Sequence, residues 1–474
     1  MKIHNTLTKK TENFKPITPG IVKLYTCGPT VYDYAQLGNL RSFVFYDTLR
    51  RALSAQGFKV RHVMNITDVG HLSSDMDEGE DKLEKGAERE GKSVWDISKY
   101  YTDIFKNDVK ELNILEPNAY EGPDGPYAKA TDFIEEQIEI IKLLLEKSFA
   151  YQTKQAIYFD VTKLDSYGEL SGQKLEQKET AVRQEVVSDP AKHHPQDFAL
   201  WFFLVGRFAR HSMKWPSPWG DGFPGWHLEC SAIIHATIGD PIDIHTGGVD
   251  HIGTHHTNEM AQTEAAFGHK LANYWVHNEF LLVDSQKMSK SLGNFLTLKD
   301  VVDKGFEPLS IRLLFLQAHY RSELNFTWES LGAAQAFLKH LQAWADLKFQ
   351  PAVKSSSDQG KFYEHSINKL NGLVADDLNT AEALSELSQL AATSEEQGVD
   401  HTSFESLLQK VDELLGLGLT DRHDIDQTQK DLLTNRQTAR ESSDWQLSDE
   451  LRDRLQSAGL GVNDTKFGQV WYRL

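Results

Sequence analysis

Two ammonium groups separated by two residues stand in Lys287-Met288-Ser289-Lys290-Ser291-Leu292-Gly293-Asn294, flanked by hydroxyls and closed by a Gly-Asn turn. Lysine is a compact point charge on a flexible stem, so a loop carrying two of them can follow negative charge onto a departing pyrophosphate. The competing reading is a solvated basic turn, and the string alone does not separate the two. A second constellation consists of metal donors. Cys27 and Cys230 are the only cysteines, too few for a disulfide framework. His255 and Glu259 are four apart and share one face of any helix there. Two thiolates, an imidazole and a carboxylate form a workable four-ligand zinc set, with sulfur supplying the affinity. Spacing alone is weak support: no CxxC pair is present, and His251 and His256 compete with His255.

The elements that must position these residues can be read from the pattern. Cys27 follows the apolar run Ile21-Val22-Lys23-Leu24-Tyr25-Thr26 and precedes Gly28-Pro29, so it sits where a buried strand ends. In open α/β sheets that is where ligands bind. Cys230 lies in Gly225-Trp226-His227-Leu228-Glu229-Cys230, after the Trp/Pro/Gly-rich 215–220, and reads as loop feeding an ordered element. Asp250 to Glu259 runs into a helical pattern over Met260–Phe267.

Residues 18–115 alternate strand-like runs (Ile21–Thr26, Val60–Ile66) with a helical one (Arg41–Gln56), as a doubly wound nucleotide-binding half does. A helix is expected over Thr131–Ser148, then a strand over Ala156–Val161 and a loop-rich stretch to about Pro195, all within 116–220. Strand and ligand motifs resume over 221–327. From Trp328 the pattern is helical to about 420, with Leu331, Ala334, Leu338, Leu341 and Ala345 at core spacing and a loop over Gln350–Gly360. The last segment, 428–474, reads as one helix over Asp431–Ser457 and a strand-like end. Length 474 suggests about three domains. No apolar run approaches the roughly 18 residues that span a bilayer, and the start lacks the apolar stretch of a secretory signal, so a cytoplasmic chain with no membrane partner is expected. A net charge of −19 argues against nonspecific adhesion to nucleic acid while leaving room for one RNA partner met through local basic patches.

Together the strings resemble the class I cysteinyl-tRNA synthetases over almost the whole chain. Leu24 to Asp33 is similar to the family's first zinc-ligand strand, Asn65-Ile66-Thr67-Asp68 to its next strand end, and Gly225 to Ala232 to its second cysteine motif. Gly247-Gly248-Val249-Asp250 and His255-His256-Thr257-Asn258-Glu259 match its nucleotide and remaining zinc motifs, and Lys287 to Ser291 its second signature. The resemblance implies a Rossmann-like catalytic domain split by a connective insertion, a helical tRNA-binding bundle and a small anticodon-recognition domain at 428–474. It implies one Zn2+ on Cys27, Cys230, His255 and Glu259, with His251 and His256 not ligands. It implies ATP at Gly38, Asn39, Gly248, Asp250 and Lys290, accompanied by Mg2+, and an amino-acid pocket lined by Thr67 and Trp226. Catalysis then falls to Gln36, Asn39, Lys287 and Lys290. The implied partners are ATP, L-cysteine and tRNA(Cys), with the chain acting as a monomer.

Two departures matter. The family's first signature reads His-Ile-Gly-His or His-Ile-Gly-Asn, and here it is Gln36-Leu37-Gly38-Asn39. The Gln36 amide can donate a hydrogen bond to a phosphate oxygen but never carries positive charge. Relatives usually carry lysine after the tryptophan in Trp201-Phe202-Phe203-Leu204, and the sequence assigns that change no consequence. Three rivals remain: a cysteine:amino-sugar ligase of similar fold, a blunted synthetase-derived RNA-binding protein, and a zinc hydrolase. The helical C-terminal part, the retained Lys287–Ser291 string and the missing His-Glu-x-x-His pattern argue against them in turn.

Overall fold

The computed structural model describes residues 1–74, 78–173, 189–289, 292–353 and 357–474. The chain forms two compact units, Met1–Asp303 with Tyr320–Phe326, and Lys304–His319 with Thr327–Leu474.

The first unit is built on a five-stranded sheet whose strands we label β1 (Ile21–Thr26), β2 (Lys59–Ile66), β3 (Ala128–Lys129), β4 (Ile242–Gly248) and β5 (Ala272–Asn278). All neighbours are parallel and the order is β5-β4-β1-β2-β3. The chain therefore winds outward from β1 in one direction and from β4 in the other, which makes the β1/β4 junction the switch point where such sheets bind ligands. Central parallel strands are covered on both faces, and β1 buries Val22, Leu24, Tyr25 and Thr26. β4 buries Asp243, His245 and Thr246 as well as its isoleucines. Asp243 is satisfied by the backbone amides of Ile17 (2.5 Å) and Lys23 (2.7 Å).

Helix α1 (Leu37–Ala55) joins β1 to β2, and starts one turn before the Arg41 expected from sequence. Gln36 is its N-cap, and Asn39 Oδ1 accepts from the Gln36 amide at 3.2 Å. Helix α2 (Trp226–Thr237) and helix α3 (His255–Phe267) carry the remaining motifs. Between β1 and α1, Gly28 has no alternative: a Cβ there would lie 1.7 Å from the Asn65 carbonyl oxygen.

The insertion contains a helix over Ile134–Glu146 and an antiparallel sheet ordered Gly222–Pro224, Phe198–Phe203, Ala156–Phe159, Ala150–Gln152. The Trp201-Phe202-Phe203 departure now has a physical account. Its strand is buried on both faces, and Phe202 stacks on Phe223 (5.1 Å between ring centroids) and tilts on Phe208 (5.0 Å). The position after Trp201 is thus filled by an aromatic cluster.

After β5 the chain forms a short sheet in which Leu281–Val283 pairs antiparallel with Gln286–Lys287 and parallel with Leu324–Phe326. Asp284 and Ser285 both have positive φ (50° and 63°), the geometry of a two-residue hairpin turn.

In the second unit, helices run over Pro308–Leu316, Trp328–Ala345, Ser357–Val374, Thr380–Gln397 and His401–Leu415. The stripe Leu331, Ala334, Leu338, Leu341 and Ala345 is fully buried, as its spacing requires. Two expectations need correction. The loop after Gln350 gives way to helix at Ser357, ahead of Gly360. The single helix expected over Asp431–Ser457 is two, Gln427–Glu441 and Trp445–Ser457. Ser443 turns left-handed (φ 58°) between them, and Asp444 caps the second by accepting from the Leu447 amide at 3.0 Å. A hairpin of Leu460–Thr465 and Gly468–Arg473 closes the chain on its own small core of Leu433, Leu451, Leu455 and Trp471. Another hairpin, Lys2–Asn5 with Lys10–Asn13, was not expected from sequence. Among the described residues no helix is long and apolar enough to cross a membrane.

Candidate functional site

A cavity of about 400 Å³ opens where the switch-point rule places it, and its walls include Cys27, Gln36, Asn39, Thr67, Trp226, Gly248, Asp250, His255 and Ser289. Cys27 leaves β1 with its amide donating to the Thr246 carbonyl of β4 at 3.2 Å, and Gly248 ends β4. An added Cβ on Gly248 would meet Asp250 Oδ1 at 2.3 Å, so glycine lets that carboxylate lie back over the strand end.

The four anticipated metal donors come together. One ligand atom from each of Cys27, Cys230, His255 and Glu259 lies within 4.8 Å of all the others, and all four residues are buried. Cys230 and Glu259 do not line the cavity, whereas Cys27 and His255 do. The set fits a soft divalent ion on its own chemistry. Glu259 Oε1 is buried without a hydrogen-bond partner, although His255 Nε2 stands 2.8 Å away, outside hydrogen-bond geometry. Burial opposes ionisation of Glu259, but the His245 and His255 imidazoles win and hold its carboxyl down at about 2. Burial likewise opposes ionisation of Cys27, yet Cys230 and the surrounding imidazoles keep its thiol well below the usual value. Burial and the neighbouring Cys27 thiolate push Cys230 up, so this pair of thiols wants a cation between them.

A second quartet, Cys27, His245, His256 and Glu259, meets the same distance condition, so proximity alone leaves the competition between His255 and His256 open. His245 Nε2 lies 2.6 Å from Glu259 Oε2, and His256 Nδ1 lies 2.8 Å from His277 Nε2. His251 belongs to neither set.

Trp226 is held flat between two imidazoles, His71 at 3.9 Å (9° between planes) and His255 at 4.3 Å (12°). Thr67 Oγ1 donates to Glu229 Oε1 and accepts from Asn65 Nδ2 at 3.1 Å. Burial pushes the Glu229 carboxyl well above the usual range. On the nucleotide-motif side, the cap bond uses the Asn39 carboxamide oxygen, leaving its NH2 for the cavity. Gly38 is not part of the cavity lining.

Lys287 is exposed and does not line the cavity; its Nζ stands 5.1 Å over the Phe280 ring. Asn294 staples this loop, donating to the Lys287 carbonyl at 3.2 Å and accepting from the Ser289 amide at 2.8 Å. Lys290 lies outside the described residues. Glu229, His71, Lys82 and His245 were missed from sequence. Only His245 left a signal there, an imidazole next to the isoleucines of β4 in a strand that also carries Asp243 and Thr246.

Comparison with known proteins agrees with this geometry. Residues 13–336 match the family model described as tRNA synthetases class I (C) catalytic domain, and 422–471 that of the cysteinyl-tRNA ligase anticodon binding domain. The chain is 41% identical over 504 residues to a cysteine–tRNA ligase of Treponema denticola, covering 100% of both. It is 42% identical over 478 residues to cysteine–tRNA ligase 1 of Burkholderia lata, covering 99% of this chain and 96% of that one. Among solved structures, Mycobacterium tuberculosis methionyl-tRNA synthetase with methionyl-adenylate aligns with a TM-score of 0.58 at 13% identity, over 85% of this chain and 92% of that one. The Agrobacterium radiobacter LeuRS–tRNA–LeuAMS complex gives 0.60 at 11% identity, over 86% and 85%. Those two establish the fold, and the sequence matches establish more: the chain belongs to the class I cysteinyl-tRNA synthetase family.

Proposed function

We propose that the chain activates L-cysteine with ATP and transfers the cysteinyl group to tRNA(Cys). The observation that carries this is the buried cluster of two cysteines, a histidine and a glutamate, which meets a switch-point cavity through Cys27 and His255. In this reading a zinc ion held by Cys27, Cys230, His255 and Glu259 supplies a soft Lewis acid that prefers the thiolate of cysteine to the hydroxyl of serine. Thr67 and Trp226 line the pocket for the rest of the amino acid. Gly38, Asn39, Gly248, Asp250 and Lys290 hold ATP, whose phosphates carry Mg2+. The cysteine carboxylate attacks the α-phosphorus and pyrophosphate leaves; a terminal ribose hydroxyl then attacks the acyl carbon and AMP leaves. No protein nucleophile is required. Gln36 and Asn39 on one side and Lys287 and Lys290 on the other stabilise charge as it moves.

Residues 328–420 serve as the tRNA-binding bundle and 428–474 read the anticodon. The match of 422–471 to an anticodon-binding model favours this over the amino-sugar ligase, which needs no tRNA-reading domain. The chain works as a monomer in the cytoplasm, and sedimentation as a single-chain species checks the first point. The direct test of function is cysteine-dependent exchange of labelled pyrophosphate into ATP, repeated as charging of tRNA(Cys). Exchange without charging of any tRNA would point to the amino-sugar ligase.

The two first-signature positions yield separate expectations. Gln36→Ala removes a donor from the cavity wall and lowers kcat for exchange by up to about 10²-fold, the cost of one lost oxyanion donor. Gln36→His keeps a donor and leaves kcat equal or higher. An unchanged kcat in the alanine variant removes Gln36 from the mechanism. Gly38 sits in the first turn of α1, where an added Cβ meets nothing of the protein closer than Leu281 Cβ at 3.9 Å. Gly38→Ala therefore leaves the fold intact, and the helix gains about 0.5–1 kcal/mol. If the nucleotide rests against this turn, the same methyl raises KM for ATP severalfold. Unchanged ATP kinetics with a raised Tm would take Gly38 out of the nucleotide site.

A further inference from the structure

Among the described residues, Lys82 is the only lysine or arginine lining the cavity. The function proposed above fills that cavity with a carboxylate and a run of phosphates, while the first-signature position offers only a neutral amide. No motif quoted from the sequence covers Lys82, yet the fold holds it in place from several directions. It opens the helix Lys82–Glu90, whose cap Asp81 accepts from the Leu83 amide at 2.8 Å. His71 grips both ends of the residue: its carbonyl accepts from the Lys82 amide at 2.9 Å, and its Nε2 lies 2.6 Å from Lys82 Nζ. An ammonium can only donate, so Nε2 is the acceptor and the ring proton sits on Nδ1, facing Thr30 Oγ1 at 2.6 Å. The same ring lies flat on Trp226, and Trp226 lies flat on His255 of the metal-donor cluster.

We propose that Lys82 binds the carboxylate of the substrate amino acid and aligns it for attack on the α-phosphorus, with His71 as its positioning residue. The inference rests on the function proposed above. In cysteine only two carbons separate the sulfur from the carboxyl carbon, so an amino acid whose sulfur is taken by the cluster must leave its carboxylate close by. The His71–Trp226–His255 stack fixes an ammonium in that neighbourhood. Charge on the loop lysines is then left for pyrophosphate.

The test compares two ligands of the metal-loaded protein by calorimetry: cysteine, and cysteamine, which has the same thiol and amine without the carboxylate. The unaltered chain binds cysteine more tightly by roughly 10- to 100-fold, the range for a hydrogen bond to a charged group. Lys82→Met, or Lys82→Gln should the first fail to fold, erases that preference and leaves cysteamine binding unchanged. KM for cysteine rises by a similar factor while KM for ATP stays. His71→Phe keeps a ring on Trp226 but loses the tether, and gives an intermediate loss confined to cysteine. Lys82→Arg restores part of the preference. Equal weakening of both ligands, intact cysteine binding, or a rise in KM for ATP alone overturns the assignment. An unaltered chain that exchanges no pyrophosphate with cysteine sinks the proposed function itself, and does so in a separate assay.

Discussion

Cys230→Ser is expected to strip the chain of bound metal and to lower cysteine-dependent pyrophosphate exchange well beyond 100-fold. The side chain is fully buried in α2, against Cys27, His255 and Glu259. Losing a partner that only orients a metal ligand costs about 10–100-fold in affinity or activity, and losing the ligand itself costs more. A serine hydroxyl is too hard and too weakly acidic to replace a thiolate. It also leaves a buried polar group to satisfy, at about 1–3 kcal/mol of stability. Discrimination goes with the metal, because a pocket reading shape alone separates near-isosteres by only about 1–3 kcal/mol. Cys27→Ser should behave alike, while ATP binding persists in both. Metal content, exchange and the cysteine-over-serine ratio are the readouts. Full metal content with an unchanged ratio would defeat the assignment.

The second large effect concerns tRNA. A chain ending at Asp421 is expected to exchange pyrophosphate within a few-fold of the full chain and to lose charging of tRNA(Cys) by 100-fold or more. That order follows from removing a domain whose base contacts are each worth about 1–3 kcal/mol. The cut is chosen on structural grounds. Ending at Phe326 would strip the Pro308–Leu316 helix, with its buried Leu313, Leu314 and Leu316, of the second unit to which it belongs. Ending at Asp421 leaves the buried Asp346 without Arg422, which holds it through two contacts of 2.6 Å. A buried carboxylate deprived of its cation is strongly destabilising, so the truncation should carry Asp346→Asn. Equal loss of exchange and charging in a folded product would argue against a separate tRNA-reading role.

Two of the five sheet strands, Ile21–Thr26 and the one ending at Ile66, were legible because their signals are local, whereas the two-residue Ala128–Lys129 and the polar-studded Ile242–Gly248 were not. Ile21–Thr26 is an apolar run stopped by Gly28-Pro29, and the strand has those bounds. The break at Ser443 escaped notice because serine is a mild helix former; the stronger sign was Asp444, a good cap placed inside an apparently continuous pattern. The hairpin Lys2–Asn13 is polar and scarcely alternates, which leaves periodicity nothing to detect. In the site, a four-residue spacing put His255 and Glu259 on one face. Nothing in spacing brings Cys27 to Cys230, since their meeting depends on β1 lying beside β4. Trp226 between two imidazoles is a product of long-range folding that joins segments far apart in sequence. Lys82, by contrast, meets His71 across the local hairpin of Leu72–Ser74 and Glu78–Asp81, whose polar sequence periodicity does not mark.

The strand Leu324–Phe326 bears on how this chain is made. It is the parallel partner of Leu281–Val283, the strand that leads into the two-lysine loop, and it reaches its place only after the chain has passed through Lys304–His319 of the other unit. Synthesis is vectorial, at about 5–20 residues per second. A nascent chain therefore carries the switch-point sheet and all four metal donors out of the ribosome seconds before Leu281–Val283, already able to pair with Gln286–Lys287, can gain its parallel partner. Metal capture can precede completion of that three-stranded sheet, whose last strand is among the final pieces of its unit to be made.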